Sequence, residues 1–285
     1  MAVKTRGMVL AVILLAGPPL TPGIESSRSL FSQSLFSQTA QSTLDREFPS
    51  PSISYVLIDA HSGSVAAQRW RRIDEPIPIG SLIKPFTALA YARGHRRFPS
   101  VVCNGTRDYC WLPRGHGRVT LRDAIAQSCN AYFLALASDI STRDANEVFR
   151  AFDLAPIDAS NKSRALAGLS DDWQVSPIVL ARAYGSLSQR FHESEPDIFG
   201  GMQSSAHTGT AHAVSVGVPG GAVLAKTGTA RCTHSPAGAA DGFTVALYPA
   251  DNPRIVLLTR IHNVTGATAA VTAGRMLRFL EGAEP

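Results

Sequence analysis

Apolar positions along the chain change period several times, and each change marks an element. Residues 8–16 (Met-Val-Leu-Ala-Val-Ile-Leu-Leu-Ala) form an unbroken apolar run behind Lys4 and Arg6. Residues 24–50 are polar, rich in Ser and Gln, with Ser-Leu-Phe-Ser-Gln repeated at 29–33 and 34–38. Beyond them, Ser54 to Asp59 and Ser64 to Gln68 are strand-like runs around Ala60-His-Ser-Gly63, a turn with glycine available for positive φ. Mostly helical spacing fills 81–216, and the stretch from Leu82 to Ala92 reads as a helix with a buried face. Strand-like runs return near 221–229, 242–248 and 254–262, with Pro249-Ala-Asp-Asn-Pro253 as a turn between the last two. Ala267 to Leu280 reads as a closing helix. The pattern predicts an α+β fold: a five-stranded antiparallel sheet with N- and C-terminal elements on it, the closing helix among them, and a helical region inserted after its second strand.

Composition narrows the class. A chain of 285 residues with 45% hydrophobic content can bury one substantial core, so one domain is expected over 51–285. The apolar run is too short to span a bilayer comfortably, and with its basic flank residues 1–23 read as an export signal or a short retained anchor. Residues 24–50 read as a linker. An exported protein, in the periplasm or on the outer face of the cytoplasmic membrane, follows. The net charge of +5 shows no basic stripe interleaved with aromatics, which argues against a nucleic-acid partner.

Chemistry is concentrated in three short polar motifs. The first is Ser81-Leu82-Ile83-Lys84, placed by the turn-like Ile77-Pro78-Ile79-Gly80 at the start of a helix, with Pro85 tolerable in its first turn. A serine hydroxyl is a weak nucleophile without a base, and Lys84 one turn on can act as one if desolvation leaves it partly neutral. The second, Ser128-Cys129-Asn130, follows Thr120-Leu-Arg-Asp123, a capping box that opens a short helix. An extended backbone there would point Ser128 and Asn130 one way and Cys129 the other. The third, Lys226-Thr227-Gly228-Thr229, ends the strand-like run from Gly221; its ammonium and hydroxyls suit a carboxylate, and Gly228 would let a substrate approach the strand without a Cβ in the way. The amides of Ser81 and Thr229 would form an oxyanion hole.

With these motifs the chain resembles the penicillin-binding proteins and serine β-lactamases, over about residues 52 to 282. It looks most like the transpeptidase domain of elongation-type class B penicillin-binding proteins, also through Gly115-His-Gly117, Val175-Ser-Pro-Ile-Val-Leu-Ala-Arg-Ala-Tyr184 and Gly242-Phe-Thr-Val-Ala-Leu-Tyr-Pro249. The resemblance implies a serine D,D-peptidase, a transpeptidase or carboxypeptidase acting on D-Ala-D-Ala stem peptides of peptidoglycan. Ser81 would be the nucleophile, Lys84 the general base, Ser128 and Asn130 the proton shuttle and substrate positioner, and Lys226, Thr227 and Thr229 the carboxylate site. It also implies β-lactams as covalent inhibitors, a setting in a cell-wall synthesis complex, and no cofactor for catalysis. Class B proteins carry a large pedestal before this domain; residues 1–50 leave no room for one, so a stand-alone catalytic domain is expected. The alternatives are a class D-like serine β-lactamase, suggested by short motif spacings, and a β-lactam or wall-peptide sensor without turnover. The class D Tyr-Gly-Asn triplet and a class A Glu-x-x-Leu-Asn segment are both missing from the sequence, which favours a persistent acyl-enzyme.

The cysteines carry a separate signal. Cys103, Cys110 and His116 fall between the first two motifs and, with Cys129 of the second, make a Cys3His set of the kind that holds structural zinc. A Cys103–Cys110 disulfide with Cys129 merely buried is the competing reading for an exported chain. Cys232 reads as a free thiol, and His262 shows no ligand spacing.

Overall fold

The computed structural model describes residues 36–233 and 239–281. The signal or anchor at 1–23 and the linker up to residue 35 lie outside the described residues. Helix α1 covers 36–47, which corrects the linker reading for its second half. Phe36, Ala40, Leu44 and Phe48 recur every four residues, an apolar stripe hidden in a Ser/Gln-rich composition. Ala40, Leu44 and Phe48 are buried against the domain. Tyr55 Oη donates to Asp45 at 2.7 Å and accepts from Gln41 at 3.0 Å, tying the helix to the first strand.

Strands β1 (Ile53–Asp59) and β2 (Val65–Arg69) form the first hairpin. Asp59 caps its turn by accepting from the amides of His61 and Ser62. The short β3 (Ile77–Pro78) leads through a 3-10 turn (Gly80–Ile83) into α2 (Lys84–Gly94), with Pro85 in the first turn as expected. The excursion continues with β4 (Val101–Cys103) and its partner β5 (Gly117–Val119), then α3 (Leu121–Ala126), whose Thr120–Asp123 capping box is formed. Helices α4 (Asn130–Asp139), α5 (Thr142–Ala151) and α6 (Lys162–Leu166) follow. Strand β6 (Gln174–Val175) pairs back onto β3, and α7 (Pro177–Phe191) and α8 (Pro196–His207) close the insert. The chain then forms β7 (Leu224–Arg231), β8 (Ala240–Tyr248), β9 (Ile255–His262) and α9 (Gly266–Glu281).

The main sheet is antiparallel with order β2-β1-β9-β8-β7, so the third motif lies on an edge strand. Alternation sends Tyr55, Leu57, Ala225, Ala246 and Leu257 to one face, where α1 and α9 cover them. Val56, Ile58, Val245, Leu247 and Leu258 face the helical insert, packing with Phe86 and Tyr184. Both faces are covered, which is why the central strands read as near-continuous apolar runs. The predicted five-stranded antiparallel sheet with a helical insert is the architecture found.

Candidate active site

The three motifs converge at the edge strand. A cleft of about 380 Å³ is lined by Ser81, Ser128, Asn130, Thr227, Thr229 and Trp111, among others. Ser81 sits in the 3-10 turn and is partly exposed to the cleft. Lys84, whose amide donates to the Ser81 carbonyl, is fully buried beneath it.

Two glycines lock the Ser81 turn to β7. Gly80 has φ +55, and a Cβ there would lie 2.3 Å from the Thr229 carbonyl oxygen. A Cβ on Gly228 would lie 2.6 Å from the Ile79 oxygen and 2.9 Å from Leu82 Cγ. The space that sequence reasoning reserved for a substrate beside Gly228 is therefore occupied by the protein's own backbone. The same contact brings the residues of the expected oxyanion hole, Ser81 and Thr229, to one place.

Ser128-Cys129-Asn130 is not extended. Ser128 adopts φ +53 between α3 and α4, Cys129 has φ −68 and ψ 113, and Asn130 opens α4. The left-handed residue gives the outcome that alternation would have given: Ser128 and Asn130 face Lys84, and Cys129 turns toward the other cysteines. Lys84 Nζ donates to the Ser128 carbonyl at 2.8 Å and to Asn130 Oδ1 at 2.7 Å, and stands 3.2 Å from Ser128 Oγ. Asn130 Nδ2 donates to the Tyr109 carbonyl at 3.0 Å, which fixes the amide with its oxygen toward the lysine. Burial lowers the Lys84 pKa to about 7, against a smaller upward pull from Cys129 and Cys110. A neutral amine has two hydrogens, and the two carbonyl-type acceptors take them, leaving its lone pair free.

Lys226 is also fully buried, under the cleft floor rather than on its wall. Its Nζ donates to Ser128 Oγ at 2.9 Å and to the Thr227 carbonyl at 2.8 Å. Burial, and secondarily repulsion by Lys84, hold its pKa well below the usual lysine value. The hydroxyls nearer the cleft are those of Thr227 and Thr229, and Thr227 Oγ1 donates at 2.7 Å to Thr210 Oγ1. Sequence reasoning missed Thr210, although Thr208-Gly-Thr210 repeats the Thr-Gly-Thr of the third motif. It also missed Trp111, a half-exposed ring on the cleft wall held by an Nε1–H donated to the Gln127 carbonyl at 3.0 Å.

Behind the Ser128 turn, Cys103, Cys110, His116 and Cys129 bring one donor atom each to within 4.8 Å of one another. His116 Nδ1 is 3.5 Å from Cys103 Sγ and 3.4 Å from Cys110 Sγ, and the Cys110 and Cys129 sulphurs are 4.0 Å apart. One ring nitrogen facing two sulphurs is poorly served by a single hydrogen bond and well served by a central cation. The Cys110 thiol, hydrogen-bonded with Cys129, is drawn down toward the thiolate, the form that ligates metals. All four cysteines are thiols. The Cys/His cluster can hold a metal ion.

A second convergence escaped the sequence. Cys232, Asp241 and His262 meet because β8 and β9 pair Asp241 with His262, whose Nδ1 is 2.7 Å from Asp241 Oδ1 and 3.7 Å from Cys232 Sγ.

The penicillin-binding protein transpeptidase domain model matches residues 53–279. The chain belongs to this family. Similar folds to this transpeptidase domain occur in Pseudomonas aeruginosa PBP2, crystallised with WCK 5153, at TM-score 0.72 and 18% identity, covering 86% of this chain and 74% of that one. The transpeptidase domain of Burkholderia pseudomallei penicillin-binding protein 3 is similar at TM-score 0.67 and 19% identity, covering 88% and 92%. Helicobacter pylori PBP2, in a complex with MreC, is similar at TM-score 0.68 and 13% identity, covering 85% and 62%. Among curated proteins nothing matches.

Proposed function

We propose that this transpeptidase domain is a serine D,D-peptidase that forms an acyl-enzyme on Ser81 with D-Ala-D-Ala stem peptides and is acylated by β-lactams. The observation that carries the reading is the placement of Lys84: buried, poised near neutrality and one turn beneath the cleft serine. Lys84 accepts the Ser81 proton as Oγ attacks the penultimate D-Ala carbonyl, and the Ser81 and Thr229 amides stabilise the oxyanion. The C–N bond then breaks; Ser128 donates a proton to the departing D-Ala amine and recovers one from Lys84, while Asn130 positions the peptide. Thr227 and Thr229 bind the terminal carboxylate, with Lys226 supplying positive potential from below and holding the Ser128 hydroxyl. An amine or water then takes the acyl group. The absence of a class A or class D water-activating motif from the sequence favours this over β-lactamase turnover.

The Cys103, Cys110, His116 and Cys129 cluster would hold structural zinc. Zn–S bonds of about 2.3 Å and Zn–N bonds of about 2.0–2.1 Å require tetrahedral edges of about 3.8 Å between sulphurs and about 3.5 Å between sulphur and nitrogen. The separations found, 4.0 Å and 3.4–3.5 Å, fit that frame. Zinc there would brace the Ser128 turn.

Export to the periplasm or the outer face of the cytoplasmic membrane, and work within a cell-wall synthesis complex, fit this chemistry. The MreC complex of the Helicobacter pylori relative supports the latter. Among the described residues no helix is long and apolar enough to cross a membrane.

The deciding experiment incubates the protein with a fluorescent penicillin and with a D-Ala-D-Ala peptide. Release of D-Ala and a label on Ser81 that persists for hours are expected. Rapid loss of label with hydrolysed penicillin in solution would make it a β-lactamase; stable label without D-Ala release would make it a sensor.

A further inference from the structure

A second groove, of about 460 Å³, opens on the other side of the sheet from β7. Its walls are the start of β1, the segment from the end of β2 toward β3, and the end of β9. The antiparallel register is what assembles it: Tyr55 pairs with Arg69 and Ser54 with Arg260. The lining carries Arg69, Arg71, Arg72 and Arg260 against one carboxylate, Glu75. That carboxylate is engaged by Arg72 at 2.9 Å, and Arg69 is paired 3.6 Å from Asp45. Among the described residues Arg71 and Arg260 have no carboxylate within ion-pair distance.

Arg260 is the unusual one. It is 5% exposed, its guanidinium carbon lies over Trp70 at 4.5 Å from the ring centroid, and one Nη donates to Ser54 Oγ at 2.9 Å. Among the described residues its buried Nε has no hydrogen-bond partner, and neither has the Nε of Arg69. Burial lowers the Arg260 pKa, and Asp241 and Cys232 only partly offset this from a distance. A buried guanidinium with an unmet donor and no contacting anion is costly. Its planar fork matches the two oxygens of a carboxylate or phosphate. Exposed Arg71 adds a second unneutralised cation at the rim.

We infer that this groove binds an oxyanion, a carboxylate or phosphate carried on a ligand of about monosaccharide size, with Arg260 at its base and Arg71 at its rim. The site is separate from the Ser81 cleft and does not depend on the chemistry there. Such a group has two sources, acidic sugars or peptides and phosphodiester polymers, and the probes below tell them apart.

Titration calorimetry on the full chain, at fixed ionic strength, uses glucose 6-phosphate, glucuronate and glucose. Saturable millimolar binding of one or both anionic sugars, with none for glucose, is expected. A preference for the phosphate supports a phosphodiester source, and a preference for glucuronate an acidic sugar or peptide. Arg260→Gln should weaken binding about tenfold or more, and Arg71→Glu should do so without disturbing the core. Ser81 acylation by penicillin should be unchanged in both. Should Arg260→Gln fail to fold, Arg71→Glu alone decides. Absence of saturable binding by either anionic sugar, or binding undiminished in the variants that fold, overturns the inference.

Discussion

Lys84 Nζ stands 3.2 Å from Ser128 Oγ, and both groups are buried under the same cleft. A base and a relay hydroxyl in contact make the protonation state of the lysine the natural control point. Burial lowers the Lys84 pKa to about 7, so the amine is charged and inert below that pH and free to accept a proton above it. The rate of penicillin acylation should climb with pH through a midpoint near 7 and then level off. Stability should also rise with pH from about 7 toward about 10, because the unfolded lysine keeps its proton to about 10.4 and the folded one does not. Stopped-flow labelling between about pH 5.5 and 9 checks the first part; a flat profile would remove Lys84 as base.

Ser81→Ala should abolish covalent labelling while the unfolding midpoint stays near that of the parent, since only a partly exposed hydroxyl is lost. Lys84→Ala should slow acylation by about 10²–10⁴. Mass spectrometry of the labelled peptide decides, and a unique label elsewhere in the Ser81→Ala protein would refute the assignment.

Removing the buried ammonium in Lys226→Ala should weaken the carboxylate site and free the Ser128 hydroxyl. Substrates with a free C-terminus should lose about tenfold or more in kcat/KM beyond the loss seen for their amides, in line with about 1.5–3 kcal/mol for a charge-assisted bond. Thr210→Val should show the same preference more weakly, through Thr227. Equal losses for acid and amide would leave Lys226 a purely structural role.

For the Cys3His cluster, protein purified without chelator should contain about one equivalent of zinc, insensitive to added thiol. His116→Ala should lose the metal, lower the melting temperature and slow Ser81 acylation, because the Ser128 turn is built on Cys129. A metal-free protein with full activity would overturn the metal reading and leave the peptidase reading intact.

At the glycine contact, Gly80→Ala should be severe. The residue sits at φ +55 and the new Cβ would meet the Thr229 oxygen at 2.3 Å; left-handed strain and overpacking each cost about 1–3 kcal/mol. Gly221→Ala is the matched control, with nothing within 4 Å of its added Cβ. Urea unfolding of the two variants compares them directly, and similar stabilities would show that the turn yields.

The strands were legible because both sheet faces are covered and the runs stand out against Gly, Pro and Asn turns. The three motifs were legible because each is continuous in sequence. What stayed hidden depends on register or on packing between distant segments. Lys226 reads as a cleft residue until β7 is seen to turn its ammonium underneath, toward Ser128. Asp241 and His262 become neighbours only through the β8–β9 pairing, and Thr210 meets Thr227 only once the segment after α8 docks beside the edge strand. Helix α1 was masked by serine and glutamine, although its four-residue apolar repeat was present throughout.

The close backbone contact between the Ser81 turn and β7 also bears on inheritance. Gly80 and Gly228 admit no side chain, so under the proposed acyl-enzyme reading a lineage under antibiotic selection could not reshape the reactive centre through them without disturbing the Ser81 turn. On that reading, escape would have to come from replaceable groups on the cleft wall, Trp111, Leu169 and Thr265. Resistance in such a protein is written on the rim, around a centre that the packing keeps fixed.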